Sequence, residues 1–227
     1  MRGTAVWRTW LRSRPARSLV RAHSPAWIDG IDASQCALVV IDCQREALDG
    51  VADADDLLFR TNAAVDAVRR HGGHLAFVRT ALDELDYLAI PSTNSEASKW
   101  RQDRRFHNGM PGSGLHPAIA VLDEDIALRK TRLGVFSTTN LDERLTNLGV
   151  TTLILAGVHT SGAVLTTVRE AADRDYRLIV LSDCTGDADL HAHDLSLFQV
   201  ISRQAEMLTT NQLARALVRR YESVTLS

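Results

Sequence analysis

The chain has 227 residues, of which 45% are apolar and 24% are charged, and its net charge at pH 7 is −2. This length predicts one large domain with a sizeable core. The near-neutral charge gives no electrostatic basis for a nucleic-acid partner, and no apolar run approaches the roughly 18 residues that a membrane helix needs. We therefore expect a globular protein that binds neither nucleic acid nor a membrane.

Three cysteines, Cys36, Cys43 and Cys184, occur without a CxxC spacing. An odd number in this arrangement argues against a disulfide framework and against a CxxC-type zinc site. It favours a reducing compartment, so we predict a cytoplasmic protein.

The basic residues are strongly biased towards arginine, because 24 of the 26 are arginines and only Lys99 and Lys130 are lysines. A chain that uses arginine for its surface charge draws attention to each lysine, whose compact ammonium group differs chemically from a guanidinium.

The first 27 residues contain six arginines and no acidic residue. They lack the apolar core of a signal peptide, but their composition resembles a mitochondrial transit peptide. Trp7 and Trp10 also suit a short amphipathic arm, and a start codon assigned too far upstream is a third explanation. We treat residues 1–30 as an arginine-rich arm and residues 31–227 as one globular domain.

From residue 37 onwards, short apolar runs alternate with segments of helical periodicity. Strands are predicted at 37–41, 74–78, 125–129, 152–156, 178–181 and 206–208. Helices are predicted at 56–71, 141–148, 161–174, 191–201 and 211–221, and residues 80–116 are predicted to form a long connection. This alternation predicts an α/β fold, in which a parallel sheet is covered on both faces.

Ligands bind such sheets beyond the carboxyl ends of the strands. The first predicted strand ends in Asp42, the third ends in Lys130, and the fourth leads into a turn of small residues at 157–163. Each has a purely structural explanation, as a capping acid, its salt-bridge partner and a helix entry. Their placement at one edge of one sheet favours a site.

Three segments resemble, in order, the opening strand, the lysine segment and the nucleophile turn of the isochorismatase-like hydrolases, also called cysteine hydrolases. They are residues 38–44 (LVVIDCQ), 130–136 (KTRLGVF) and 157–172 (GVHTSGAVLTTVREAA). The resemblance spans residues 34–210, and three ordered motifs are far more specific than one. It implies a three-layer α/β/α fold with a six-stranded, mostly parallel, doubly wound sheet. It also implies a hydrolase domain that acts on a small molecule, as a homodimer or homotetramer.

Carried over by position, the resemblance implies that Asp42 is the catalytic acid/base and that Lys130 is its charged neighbour. The turn after a cis peptide between Val158 and His159 would supply oxyanion N–H groups, and the ring of His159 either shuttles protons or has no role. The candidate oxyanion and substrate contacts are His159, Thr160, Gly162, Gln44, Arg79, Thr80, Trp100 and Phe136.

Ala163 stands where most members of the family carry the cysteine whose thiolate attacks an amide. Four explanations stay open. The chain could hydrolyse a vinyl ether as isochorismatases do, with Asp42 as general acid, or it could use Asp42 to activate water against another small amide or ester. It could be a silent binding protein of the same fold. It could also be an amidase (a C–N hydrolase) in which the cysteine was replaced.

Neither a metal nor another cofactor is predicted. Zinc-dependent relatives use one aspartate and two histidines, whereas the acid-rich stretch 49–56 contains no histidine and His191 and His193 diverge in a helix. Another cysteine is also a poor substitute for the missing nucleophile. Cys43 should point to the opposite face of the strand from Asp42, and Cys184 suits a core position.

Overall fold

The computed structural model describes residues 30–218, so nearly all of the predicted N-terminal arm and the last nine residues lie outside the described part of the chain. The strands within it are β1 (Ile31–Asp32), β2 (Cys36–Ile41), β3 (His74–Thr80), β4 (Ile126–Lys130), β5 (Thr152–Val158), β6 (Arg177–Gly186), β7 (Glu206–Leu208) and β8 (Leu217–Val218). The α-helices are α1 (Arg45–Leu48), α2 (Ala54–His71), α3 (Glu84–Leu88), α4 (Ser95–Asp103), α5 (Leu141–Asn147), α6 (Leu165–Ala172), α7 (Leu190–Leu195) and α8 (Thr210–Ala216).

Six of these strands form one sheet in the order β4-β3-β2-β5-β6-β7, and every neighbouring pair is parallel. The helices cover both faces, so the predicted three-layer α/β/α fold is confirmed. No helix between residues 30 and 218 combines the length and the apolar character that a bilayer span requires.

The structure corrects two of the predicted helices. The helix predicted at 161–174 begins with a π-helical turn over Thr160–Val164 and becomes α-helical only at α6. The helix predicted at 211–221 ends at Ala216, because the chain then becomes extended and β8 pairs with β1.

The central strands are apolar on both faces because both faces are covered. All six residues of β2 are buried. Leu38 and Val40 pack into the hydrophobic cluster on one face of the sheet, which we call the first layer. Val39 and Ile41 pack into the cluster on the other face, which we call the second layer.

Gly157 allows the carboxyl ends of β2 and β5 to approach closely. Its φ is +120°, and it lies opposite Ile41 in the parallel register. A Cβ atom at this position would lie 1.9 Å from the carbonyl oxygen of Ile41. Only glycine fits, and the turn that follows β5 is thereby held next to Asp42, which follows Ile41.

We expect Gly157→Ala to lower the free energy of unfolding by more than about 3 kcal/mol, because a backbone clash adds to an unfavourable φ. Gly149→Ala is the matched control, since Gly149 also has a positive φ but a Cβ there would meet nothing within 4 Å. The control should cost only about 1 kcal/mol. Urea denaturation of both variants measures the difference, and equal losses would contradict the role given to Gly157.

Candidate active site

Asp42 lies at the carboxyl end of β2, where the chain leaves the sheet. Its φ of +51° is in the left-handed region, and its N–H donates to the carbonyl of Val78 at 2.9 Å. The residue is buried, with 7% of its surface exposed. A buried carboxylate needs partners to offset its desolvation.

Lys130, at the end of β4, is the ionic partner of Asp42. Its Nζ lies 2.7 Å from Oδ2 of Asp42, and the lysine side chain is fully buried. The same Nζ donates to the Thr80 hydroxyl at 2.7 Å and to the Arg132 carbonyl at 3.2 Å. One of the two lysines of this chain therefore serves as a buried charge.

Thr80 completes the cluster from the end of β3. Its backbone N–H and its hydroxyl donate to Oδ1 of Asp42 at 2.8 and 3.0 Å. Because this hydroxyl also accepts from Lys130, it links the ammonium group to Oδ1, while Nζ contacts Oδ2 directly. The structure thus brings together Asp42, Lys130 and Thr80, three of the residues identified from the sequence.

Gln44 and Arg79 bind the framework beside this cluster. The Gln44 side chain accepts from the Thr80 N–H at 2.9 Å and donates to the carbonyls of Thr80 and Ser113. Arg79 donates to the Ser113 carbonyl at 3.0 Å and to the Asn108 side chain. Both side chains therefore attach the long connection after β3 to the strand ends.

The turn after β5 contains the expected cis peptide between Val158 and His159. The N–H groups of Gly162 and Val164 donate to the carbonyl of His159 at 3.1 and 3.2 Å. Ala163 lies in this turn with 3% of its surface exposed. The Gly162 amide, predicted to face an oxyanion, is engaged within the protein.

Asp187, just after β6, holds the other side of the turn, and the sequence reasoning missed it. Its carboxylate accepts from the N–H and the hydroxyl of Ser161 at 2.9 and 2.7 Å, and it lies 3.6 Å from Nδ1 of His159. Burial alone raises the pKa of Asp187, but the nearby His159 ring and the hydrogen bonds from Ser161 outweigh burial and hold its pKa well below the ordinary range. Thr160 is also engaged, through the Gly186 carbonyl and Nδ1 of His193.

Neither Cys43 nor Cys184 lies where it could take the place of a cysteine at position 163. Both lie in the first layer, whereas Ala163 lies in the second layer on the opposite face of the sheet. Burial raises the pKa of Cys184 to about 12. Burial, and then the nearby Asp42 carboxylate, also raises the pKa of Cys43. Both environments disfavour a nucleophilic thiolate.

The two predicted aromatic contacts have different surroundings. Trp100 packs edge-on against Phe106 and lines a cavity of about 260 Å³ next to residues 132–134. Phe136 instead stacks on Tyr176 with 6.1 Å between ring centroids, beneath the guanidinium of Arg174. Phe136 thus packs within the second layer, the cluster that also contains Ala163. Among residues 30–218, no three His, Cys, Asp or Glu side chains converge in a group that could hold a metal ion.

Replacing Lys130 by methionine should lower the free energy of unfolding by about 3–5 kcal/mol, because it leaves the buried Asp42 carboxylate unpaired. Lys99→Met is the matched control, since Lys99 is largely exposed and should change stability by about 0.5 kcal/mol or less. Chemical denaturation provides the measurement. The double variant Asp42→Asn/Lys130→Met should regain part of the loss, and no recovery would contradict the pairing.

Asp187 should make the stability of the protein sensitive to acid. Because its pKa is depressed in the folded state, its contribution is fully present above the ordinary aspartate value of 3.8 and is lost as the pH falls below that value. The stability difference between the native protein and Asp187→Asn should therefore be largest near neutral pH and should shrink in acid. Urea denaturation at a series of pH values tests this, and a constant difference would contradict it.

Comparison with known proteins agrees with this architecture. The sequence model of the isochorismatase domain matches residues 36–212. The uncharacterized isochorismatase family protein YwoC of Bacillus subtilis is 28% identical over 184 residues, which cover 80% of this chain and 94% of that protein. Maleamate amidohydrolase of Pseudomonas putida is 31% identical over 101 residues, 44% of this chain and 47% of that protein. A cysteine hydrolase structure from Pseudomonas syringae shares the fold, with a TM-score of 0.75 at 21% identity over 82% of this chain and 93% of that one. The chain belongs to the isochorismatase family.

Proposed function

We propose that this chain hydrolyses a small molecule with water as the nucleophile and with Asp42 as the acid/base. The observation that carries the proposal is the complete cluster of Asp42, Lys130 and Thr80 at the carboxyl edge of the sheet, beside a turn that offers only a methyl group at Ala163. A buried charged pair at the ligand-binding edge of such a sheet is a typical arrangement for catalysis.

Hydrolysis of a vinyl ether requires no nucleophilic side chain at position 163. Asp42 would transfer a proton to the enol carbon, and water would add to the resulting oxocarbenium ion. The added water would return one proton to Asp42, and its second proton would pass to the leaving alcohol oxygen as the carbon–oxygen bond breaks, so the net reaction consumes one water molecule. No covalent bond to the enzyme forms in this sequence, and a thiol is not required.

Attack of activated water on an amide or ester is the second candidate, and the environment of Asp42 favours it. Each described partner of the carboxylate, from Lys130 and Thr80, is a donor. A carboxylate surrounded by donors suits the acceptance of a proton from water. The maleamate amidohydrolase similarity is consistent with amide hydrolysis.

A silent binding protein is the third candidate. It is favoured by the engagement of the Ser161, Gly162 and Val164 amides within the protein, since these groups are not offered to a substrate oxyanion.

The test is a hydrolysis assay against isochorismate and a panel of small amides and esters. Asp42→Asn should lower kcat by about 100-fold or more, because a positioned acid/base contributes that much. Asp173→Asn, an exposed acid at the end of α6, is the control and should keep full activity. The direction of the pH profile separates the two water-based reactions, because a general acid loses rate as pH rises and a general base loses rate as pH falls.

The variant Ala163→Cys tests the alternative that the chain is a cysteine hydrolase without its nucleophile. Turnover in the native protein that disappears in Asp42→Asn would support water-based catalysis. If only Ala163→Cys hydrolysed an amide, the chain would be a cysteine hydrolase without its nucleophile. If neither the native protein nor Ala163→Cys hydrolysed any compound of the panel, the result would favour the binding protein.

A further inference from the structure

The cavity beside Trp100 has the location expected of a substrate pocket. It has a volume of about 260 Å³ and lies between α4, the segment that follows Lys130 and the exposed side of α6. Its lining includes the apolar residues Trp100 and Leu133 and the charged residues Glu96, Arg132 and Glu170.

This cavity adjoins the catalytic cluster at Arg132 and the turn after β5 at Thr166. The carbonyl of Arg132 accepts a hydrogen bond from Nζ of Lys130, so the wall residue is attached to the cluster directly. On the other side, the hydroxyl of Thr166 donates to the carbonyl of Gly162 at 2.9 Å. Leu133 Cδ2 comes within 3.7 Å of the place that a Cβ on Gly162 would occupy. The cavity wall is therefore continuous with the turn that contains Ala163.

Arg132 brings a positive charge to this cavity. Its guanidinium donates to the carbonyl of Thr131 at 2.7 Å, and no carboxylate of residues 30–218 lies within ion-pair distance of it. Asp86 interacts with it at longer range, but the direct partner of Asp86 is Arg129. A guanidinium has five N–H donors in a planar fork that matches a carboxylate, so most of the Arg132 donors are available to a ligand.

The acidic residues in the same cavity restrict the charge of that ligand. Oε2 of Glu170 accepts from the backbone N–H of Phe136 at 3.2 Å, and the Glu170 carboxyl group occupies the space beside Gly134 where a Cβ would lie. Glu96 lies at the exposed side and pairs with Lys99 at 3.8 Å. Two carboxylates in one cavity repel a doubly charged anion and can accept hydrogen bonds from an amide or hydroxyl group.

We propose that Arg132 binds the carboxylate of a small, singly charged substrate in this cavity. The body of the substrate would lie against Trp100 and Leu133, with a donor group towards Glu170. The volume lies below the approximately 300–1,000 Å³ of pockets for drug-sized ligands, which favours a small metabolite. This inference rests on the proposed function, because it names the substrate class of the same site.

Binding without turnover tests the inference first. Calorimetric titration should show that benzoate binds the native protein and that its Kd rises at least tenfold in Arg132→Gln. Benzamide, the neutral analogue, should bind both proteins with Kd values within about twofold, and phenyl phosphate should bind more weakly than benzoate. Arg104→Gln is the matched control, because Arg104 is an exposed arginine paired with Glu84.

Four results would overturn the inference, and three of them concern benzoate and phenyl phosphate directly. They are no binding of benzoate to the native protein, an equal Kd in Arg132→Gln, and tighter binding of phenyl phosphate than of benzoate. An equal loss in Arg104→Gln would also overturn it, because the effect would then come from net charge rather than from the cavity.

Kinetics separates this inference from the proposed function. With any substrate of the panel that is turned over, Arg132→Gln should raise KM at least tenfold for a carboxylate-bearing substrate while kcat changes less than threefold. Asp42→Asn should lower kcat and keep benzoate binding. If benzoate binding depended on Arg132 but no turnover depended on Asp42, the proposed hydrolase function would be refuted. The proposal that Arg132 binds a carboxylate would still stand. If turnover depended on Asp42 but benzoate binding did not depend on Arg132, only the proposal that Arg132 binds a carboxylate would be refuted.

Discussion

The contact between Asp42 and Lys130 is the constraint on which the site depends. Two charges that leave water lose several kcal/mol each, and they regain it only when the geometry is close and the remaining polar atoms are satisfied. The 2.7 Å separation and the two hydrogen bonds from Thr80 meet both conditions. They require β2, β3 and β4 to end at matching heights, and the parallel register that places Thr80 opposite Lys130 provides this. An error in this register would leave a buried charge without its partner, so the strand register and the ion pair depend on each other.

The sequence is informative wherever a local pattern corresponds to a physical requirement. Apolar runs predicted the six sheet strands because both faces of the sheet are covered, and an acid and a rare lysine directly after such runs predicted the pair at the sheet edge. The pairing of β1 with β8 could not be predicted in this way, because each strand has only two residues and they lie far apart in the chain. Asp187 was missed because the predicted fifth strand stopped at 181, whereas β6 continues to Gly186. Had its length been known, the strand-end rule would have identified Asp187. The surroundings of Phe136 depend on tertiary packing against Tyr176, which no local pattern reports.

The turn after β5 keeps its shape without help from the side chain at position 163. Gly157 sets its approach to β2, the carbonyl of His159 holds the Gly162 and Val164 amides, and the carboxylate of Asp187 holds Ser161. None of these contacts uses the methyl group of Ala163. The frame that would position a nucleophile is therefore separable from the nucleophile itself. This separation explains how the fold and the ion pair of Asp42 and Lys130 can be intact with alanine at position 163.

At this edge of the sheet, Lys130 and Arg132 have different surroundings. Those of Lys130 would suit support of Asp42, and those of Arg132 would suit ligand binding. The ammonium group of Lys130 has three N–H donors, and Asp42, Thr80 and the carbonyl of Arg132 accept one each. It has no donor left for a substrate, so its effect on a reaction must come through Asp42 and its positive charge. Arg132, two residues later, lines the adjoining cavity, and within residues 30–218 its guanidinium donates only to the carbonyl of Thr131. A compact ammonium suits the enclosed position, and a planar fork suits the open one. Binding of a ligand carboxylate to Arg132 would therefore leave the ion pair of Asp42 and Lys130 undisturbed.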